Sequence, residues 1–194
     1  HGGDLAGVTQ QLDYIQGLGA TAVWLAPVFK NKPVQSHGGY TGAAHHGYWI
    51  TDFTAVDPHF GDEAAMRALV EAAHARGMKV YLDIVANHTA DVIQYLECPE
   101  GRCAYRSRAD YPYTRRGGVD GGPINEGFDG RDFSRLTRPD YAYTPYVPAG
   151  EENAKVPAWL NDPIHYHNRG ESTFTGESSL DGDFAGLDDL LTED

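Results

Sequence analysis

Val80-Tyr81-Leu82-Asp83-Ile84-Val85-Ala86-Asn87-His88 decides the fold. The run is apolar and rich in β-branched residues, so it reads as a buried strand. It carries a carboxylate inside and ends in an amide and an imidazole. Polar groups at the end of such a strand cost free energy unless they find partners. In a barrel of parallel strands, the C-terminal end is where ligands bind and chemistry occurs. The segment therefore predicts both an architecture and the place of a site.

A second run, Thr21-Ala22-Val23-Trp24-Leu25-Ala26-Pro27, reads as another buried strand closed by proline. Before it, Leu5, Val8, Leu12, Ile15 and Leu18 recur at helical spacing, predicting an amphipathic helix from Asp4 to Leu18, with Gly17 and Gly19 as end signals. Between the strands, Asp62 is placed to cap a helix whose apolar face holds Met66, Leu69, Val70 and Ala73, ended by Gly77. Lys79 to Val85 forms the second strand. Helix, strand, helix, strand predicts parallel strands joined by a crossover helix and covered on both faces. Lys30 to Gly61 reads as a long polar connection rich in Gly and His.

After His88 the periodicity fades into a stretch rich in Gly, Pro, Asp and Tyr. A structureless loop of this length is improbable in a compact domain, so residues 89–194 are predicted to be a small irregular domain that needs staples. Cys98 and Cys103 are five positions apart around a loop with Pro99 and Gly101. A disulfide is the favoured reading and would imply an oxidising compartment. Free thiols or weak metal ligands are the alternative, and no further Cys or His completes a zinc set.

The 194 residues are 41% hydrophobic and 22% charged, enough for a real core. Twenty-eight acidic residues against 15 Lys and Arg give a formal charge of −13. That balance argues against nucleic acid and anionic membrane surfaces and favours a neutral ligand or cations. No apolar run approaches the roughly 20 residues that span a bilayer. The chain opens at His1 rather than Met, which predicts an excerpt or a processed product.

Four elements together resemble the α-amylase family of glycoside hydrolases. They are Gly2-Gly3-Asp4-Leu5 with Ala22-Val23-Trp24-Leu25-Ala26-Pro27-Val28-Phe29; His46-Gly47-Tyr48-Trp49 with Asp52-Phe53 and Val56-Asp57-Pro58-His59-Phe60-Gly61; Asp83-Ile84-Val85-Ala86-Asn87-His88; and Gly186-Leu187-Asp188-Asp189-Leu190. They occur in the family's order. The resemblance implies an α/β fold: a partial (β/α)8 TIM barrel with an irregular inserted domain B. Residues 1–88 would supply barrel strands two and three with their helices, and 89–194 domain B. The first strand would precede His1. The nucleophilic aspartate, the acid/base glutamate and a third aspartate would lie beyond Asp194, so the remainder of the barrel would be required for catalysis.

The resemblance also implies roles for individual residues. Tyr48 stacks on the sugar ring at the cleavage subsite, where an aromatic face suits a pyranose. His88 hydrogen-bonds a hydroxyl of that sugar. His46 and Trp49 are supports or walls of the subsite. Asn87 and Asp189 ligate a calcium ion, with backbone carbonyls and waters completing the shell. Asp129, Asp132 and Asp181 are further candidates for that shell. The plainer readings are an ordinary loop tyrosine, a core histidine, a capping asparagine and a solvated Asp188-Asp189 patch. Asp83, inside its strand, is structural and pairs in the family with an arginine near the nucleophile. Alone it would be an unpaired buried charge. A retaining glycosidase needs two carboxyl groups about 5–5.5 Å apart, and Asp83 has no local partner for that. Asp52 and Asp57 read as turn caps. Tyr141, Tyr143, Tyr146, Trp159 and Tyr166 either line outer sugar subsites or form the small domain's core.

The parent protein implied is a secreted retaining glycoside hydrolase acting on α-1,4-glucans such as starch. A glucanotransferase of the same family, a non-catalytic amylase-like ectodomain and a calcium-stabilised carbohydrate-binding module are the rivals.

Overall fold

The computed structural model describes residues 3–99 and 101–192. Gly2 of the first element above lies outside them. In chain order the elements are α1 (Leu5–Gln10), α2 (Leu12–Gly17), β1 (Ala22–Leu25), β2 (Phe29–Asn31), β3 (Val34–His37), β4 (Tyr40–Ala43), β5 (Ile50–Val56), α3 (Glu63–Ala75), β6 (Lys79–Leu82), β7 (His88–Ala90), β8 (Gln94–Tyr95), β9 (Pro145–Tyr146), α4 (Ser178–Asp181) and β10 (Leu187–Asp189). No described helix is long and apolar enough to cross a membrane. The chain divides into two compact units, His1–Pro33 with Ala44–Val85 and Val34–Ala43 with Ala86–Asp194.

In the first unit β1 and β6 pair in parallel, Ala22 opposite Lys79 through Leu25 opposite Leu82. The crossover is α3, capped by Asp62, whose carboxylate accepts from the Ala65 N–H at 2.8 Å. Gly77, at φ +69°, turns the chain out of it, a conformation that costs glycine little. The predicted first helix is broken at Gln11 into α1 and α2. Leu5, Leu12, Val28, Leu69, Ala73 and Met78 are buried together, with Val23, Leu25 and Val80 packed against them.

Within the described residues the strands leave large side chains open: Trp24 is 74% and Ile84 75% exposed, and Tyr81 and Leu82 are exposed beside them. One expectation is corrected here. Lys30 to Gly61 is not a bare connection. β2 and β5 pair antiparallel within it, and β3 and β4 form a hairpin with Gln35 opposite Gly42. Ile50 to Val56 is rich in β-branched and aromatic residues, which a pleated strand accommodates well.

The second unit begins at Ala86, not after His88, and it recruits the β3–β4 hairpin, so the 1–88 and 89–194 division differs from the compact units at both points. Its core is mostly aromatic: Tyr95, Tyr113, Phe128, Tyr141, Tyr143 and Tyr166 pack with Ile93, Ile124 and Leu136. Cys98 and Cys103 are joined by a disulfide, their Cα atoms 5.8 Å apart. β7 pairs antiparallel with β10, and β8 with β9.

The hairpin is fastened by side chains. Gln35 donates to the Gly186 carbonyl at 2.6 Å and accepts from the Asp91 N–H at 3.0 Å. His37 lies between two carboxylates, Nδ1 3.2 Å from Asp91 and Nε2 2.6 Å from Glu171. The hydrogen bond to Asp91, aided by Glu171 and opposed by burial, raises the His37 pKa above the ordinary imidazole value. A raised folded-state pKa gives stabilisation that is complete below the unfolded value of about 6.5 and is lost as pH rises through the folded value. Hydrogen-exchange protection factors of the β3–β4 amides should therefore fall as pH rises from about 6.5. His37→Gln should remove that pH dependence. Protection independent of pH in the wild type would contradict the account.

Candidate functional site

In the first unit the tight turn from Ala44 to Trp49 presents Tyr48. Gly47 sits at φ +85°, and a Cβ there would lie 2.2 Å from the Pro27 carbonyl oxygen, so only glycine fits. The buried Asn31 amide clamps the turn. Its Nδ2 donates to the Gly47 carbonyl at 3.2 Å, and its Oδ1 accepts from the Trp49 N–H at 2.7 Å. Asn31 is fixed in turn by Asp57, which accepts from the Asn31 N–H at 2.9 Å and the His59 N–H at 2.8 Å. Those backbone bonds, with the His59 side chain, outweigh burial and lower the Asp57 pKa. Asp57 thus caps its turn as the sequence predicts, whereas Asp52 lies within β5, where it accepts from the Thr54 N–H at 2.8 Å.

Tyr48 is 36% exposed and donates its hydroxyl to Asp83 Oδ2 at 2.8 Å. Asp83 follows β6 rather than lying inside it, is only half-buried, and is paired, which corrects the expectation of an unpaired buried charge. His46 stacks near Tyr48, ring centroids 5.9 Å apart, and meets Trp49 edge-on at 4.7 Å. Tyr48, His46, Trp49 and Asp83 thus form one cluster.

In the second unit the β7–β10 register sets Asp189 opposite His88 and Asp188 opposite Thr89. Asn87 Nδ2 donates to Asp189 Oδ1 at 2.9 Å, and the Leu190 N–H donates to the Asn87 carbonyl at 2.8 Å. The two residues that the resemblance pairs across 102 positions are therefore in contact. His88 is 8% exposed, its Nδ1 3.4 Å from Asn87 Nδ2 and its ring 6.3 Å from that of Phe184.

Asp188 and Asp189 are buried, which corrects the reading of a solvated acidic patch. Asp188 accepts from the Val92 and Ile93 N–H groups at 2.9 and 3.1 Å and from Lys155 Nζ at 2.6 Å. Burial raises its pKa, and the Lys155 ammonium opposes the rise. Asp183 accepts from the Asp189 N–H at 3.0 Å and the Tyr95 hydroxyl at 2.8 Å, and burial beside Asp188 pushes it up to about 8. His167 Nε2 lies 3.8 Å from Asp189, and its Nδ1 lies 2.6 Å from the Tyr113 hydroxyl.

This donor set fits a hard divalent cation. It offers an amide and a carboxylate side by side, next to buried carboxyl groups whose pKa values burial raises. Among the described residues no three His, Cys, Asp or Glu side chains converge as a metal cluster. Backbone carbonyls and water would have to complete such a shell. Asp181 is engaged by Arg108 and Arg169, Asp129 accepts from the Arg131 N–H, and Asp132 accepts from the Ser134 hydroxyl.

Tyr141, Tyr143 and Tyr166 are core, whereas Tyr146 and Trp159 are exposed. Sequence reading missed Asn31, Lys155 and His167. Asn31 sits in loop-like Lys30-Asn31-Lys32-Pro33. The one cue to Lys155 is its apolar setting, Ala154-Lys155-Val156-Pro157.

Residues 1–131 match the family model described as alpha amylase, catalytic domain. The chain is 52% identical to an alpha-amylase of Streptomyces lividans over 195 aligned positions, covering 99% of this chain and 21% of that protein. It is 42% identical to the periplasmic alpha-amylase of Escherichia coli K12 over 104 positions, covering 49% of this chain and 15% of that protein. Among solved structures, the Geobacillus thermoleovorans alpha-amylase complexed with acarbose aligns with TM-score 0.55 at 31% identity, covering all of this chain and 28% of that one. The Malbranchea cinnamomea alpha-amylase aligns with TM-score 0.58 at 27% identity, covering all of this chain and 30% of that one.

These likenesses and the parallel β1–α3–β6 unit define an α/β fold, part of a (β/α)8 TIM barrel with an irregular domain B. The chain belongs to the alpha-amylase family of glycoside hydrolases. It spans about a fifth of the length of the Streptomyces lividans relative.

The buried pair generates a stability prediction. Lys155, 1% exposed, is the ammonium that faces Asp188. Lys155→Met should destabilise the protein by about 3–5 kcal/mol in chemical denaturation, because it strands a buried carboxylate. Adding Asp188→Asn should recover part of the loss. A loss under about 1 kcal/mol would show that the pair is dispensable.

Proposed function

We propose that the chain is part of a secreted α-amylase-type enzyme that hydrolyses α-1,4-glucosidic bonds of starch with retention of configuration. The observation that carries this reading is the 52% identity over nearly the whole chain to an alpha-amylase. Within the chain, Tyr48 offers a partly exposed aromatic face to a glucose ring. His88 is the donor to a sugar hydroxyl, a contact that strengthens as the ring becomes oxocarbenium-like. Asn87 and Asp189 hold calcium, which offsets the buried negative charge in the second unit. The exposed side chains of Trp24, Tyr81, Leu82 and Ile84 favour further barrel strands packing on them, since parallel strands are stable when both faces are packed. The nucleophile and the acid/base are assigned to those further strands. The disulfide favours an oxidising, extracytoplasmic compartment.

The test is incubation of the full-length protein with soluble starch, following reducing ends and the anomer first released by proton NMR. Release of reducing sugar, α-configured at first, is the expected result. Disproportionation of maltooligosaccharides without net hydrolysis would make it a glucanotransferase instead. Binding without either reaction would make it a non-catalytic ectodomain.

A further inference from the structure

We propose that His46 is a positioning residue for the sugar platform: its Nδ1 accepts the Tyr48 backbone N–H and fixes the direction in which the Tyr48 ring projects. The proposal rests on the reading of Tyr48 as a glucose-stacking residue.

The distance from the Tyr48 N–H to His46 Nδ1 is 3.0 Å. This side-chain-to-backbone bond over two residues is the imidazole counterpart of the turn that Asn and Asp side chains form with their own backbone. It encloses Gly47, whose left-handed conformation and close approach to Pro27 leave one backbone path. Asn31 closes the same turn from the other side, through the Gly47 carbonyl and the Trp49 N–H. The Tyr48 ring therefore hangs from a backbone held at three adjacent points. Its far end is held by Asp83 through the hydroxyl. The His46 ring also lies over it in a stacked arrangement and is itself braced edge-on by Trp49. A rigid aromatic face loses little conformational freedom when a sugar docks, so preorganisation converts directly into binding.

The bond demands that Nδ1 carry a lone pair, hence a neutral ring protonated at Nε2. Burial, with the neighbouring His45 charge, lowers the His46 pKa below the ordinary imidazole value. The ionisable groups around it are His45 on the same turn, Asp4, which lines the same cavity, and, through the Tyr48 hydroxyl, Asp83. His46 therefore remains an acceptor through neutral pH. His46 does not need to touch sugar for this role, which separates it from the subsite wall that the resemblance implies.

A double-mutant cycle on maltooligosaccharide hydrolysis by the full-length protein tests this. Tyr48→Ala and His46→Ala are each expected to lower kcat/KM by about tenfold. The double variant should fall within about twofold of Tyr48→Ala alone, because His46 acts through Tyr48. His46→Asn, whose Oδ1 takes the place of Nδ1, should restore most of the loss. Multiplicative losses in the cycle, or an active His46→Ala beside a crippled Tyr48→Ala, would overturn the proposal. An unaffected Tyr48→Ala would overturn the stacking reading and the proposal with it. Should His46→Ala fail to fold, nitrogen-15 NMR of the wild type decides: Nε2-protonated His46 supports the proposal, and Nδ1-protonated His46 overturns it.

Discussion

The antiparallel pairing of Leu187–Asp189 with His88–Ala90 is the constraint on which the second unit depends. It turns the acidic run Asp188-Asp189 inward, away from the water that such residues ordinarily seek. Buried carboxylates persist only when hydrogen-bonded or paired. The rest of the unit is arranged around that demand. Two backbone N–H groups and Lys155 serve Asp188, Asn87 and His167 serve Asp189, and Tyr95 serves Asp183. The aromatic core supplies hydroxyls as well as area, which explains why a domain with so little regular structure uses tyrosine where a simpler core would use leucine.

The first unit solves a different problem. Its parallel strands and α3 provide a stiff base, and the turn from Ala44 to Trp49 has no regular structure of its own. The turn gains definition from single polar side chains: Asn31 of β2 clamping it, Asp57 behind Asn31, His46 beside Tyr48. A functional loop on a rigid scaffold gains precision from such supports, because each satisfies backbone groups that would otherwise exchange with water.

Much of this was legible in the sequence where local rules act. The Asp62 cap, the apolar stripe through Leu69 and Ala73 and the Gly77 exit define α3 without reference to anything distant. The β1 and β6 runs are legible for the same reason, although periodicity could not say that Trp24 and Ile84 would face outward here. The pairing of Asn87 with Asp189 came from resemblance alone, since no local rule links positions 102 apart. What stayed hidden depends on distant partners. Nothing near Val34–Ala43 signals that this hairpin joins the unit that resumes at Ala86, because Asp91 and Glu171 hold His37 there from remote positions. Lys155 resembles a surface lysine until Asp188 is placed beside it. Asp83 reads as a stranded charge until Tyr48 is seen to donate to it.

The proposed calcium seat is the Asn87–Asp189 pair, whose side chains meet at 2.9 Å. Its most direct test is calorimetric titration of calcium into chelator-stripped protein, paired with thermal denaturation. The account predicts saturable binding, a rise in the melting temperature that magnesium does not reproduce, and loss of both in Asp189→Asn. A stripped wild-type protein that takes up no calcium and melts at the same temperature with and without it would contradict the account.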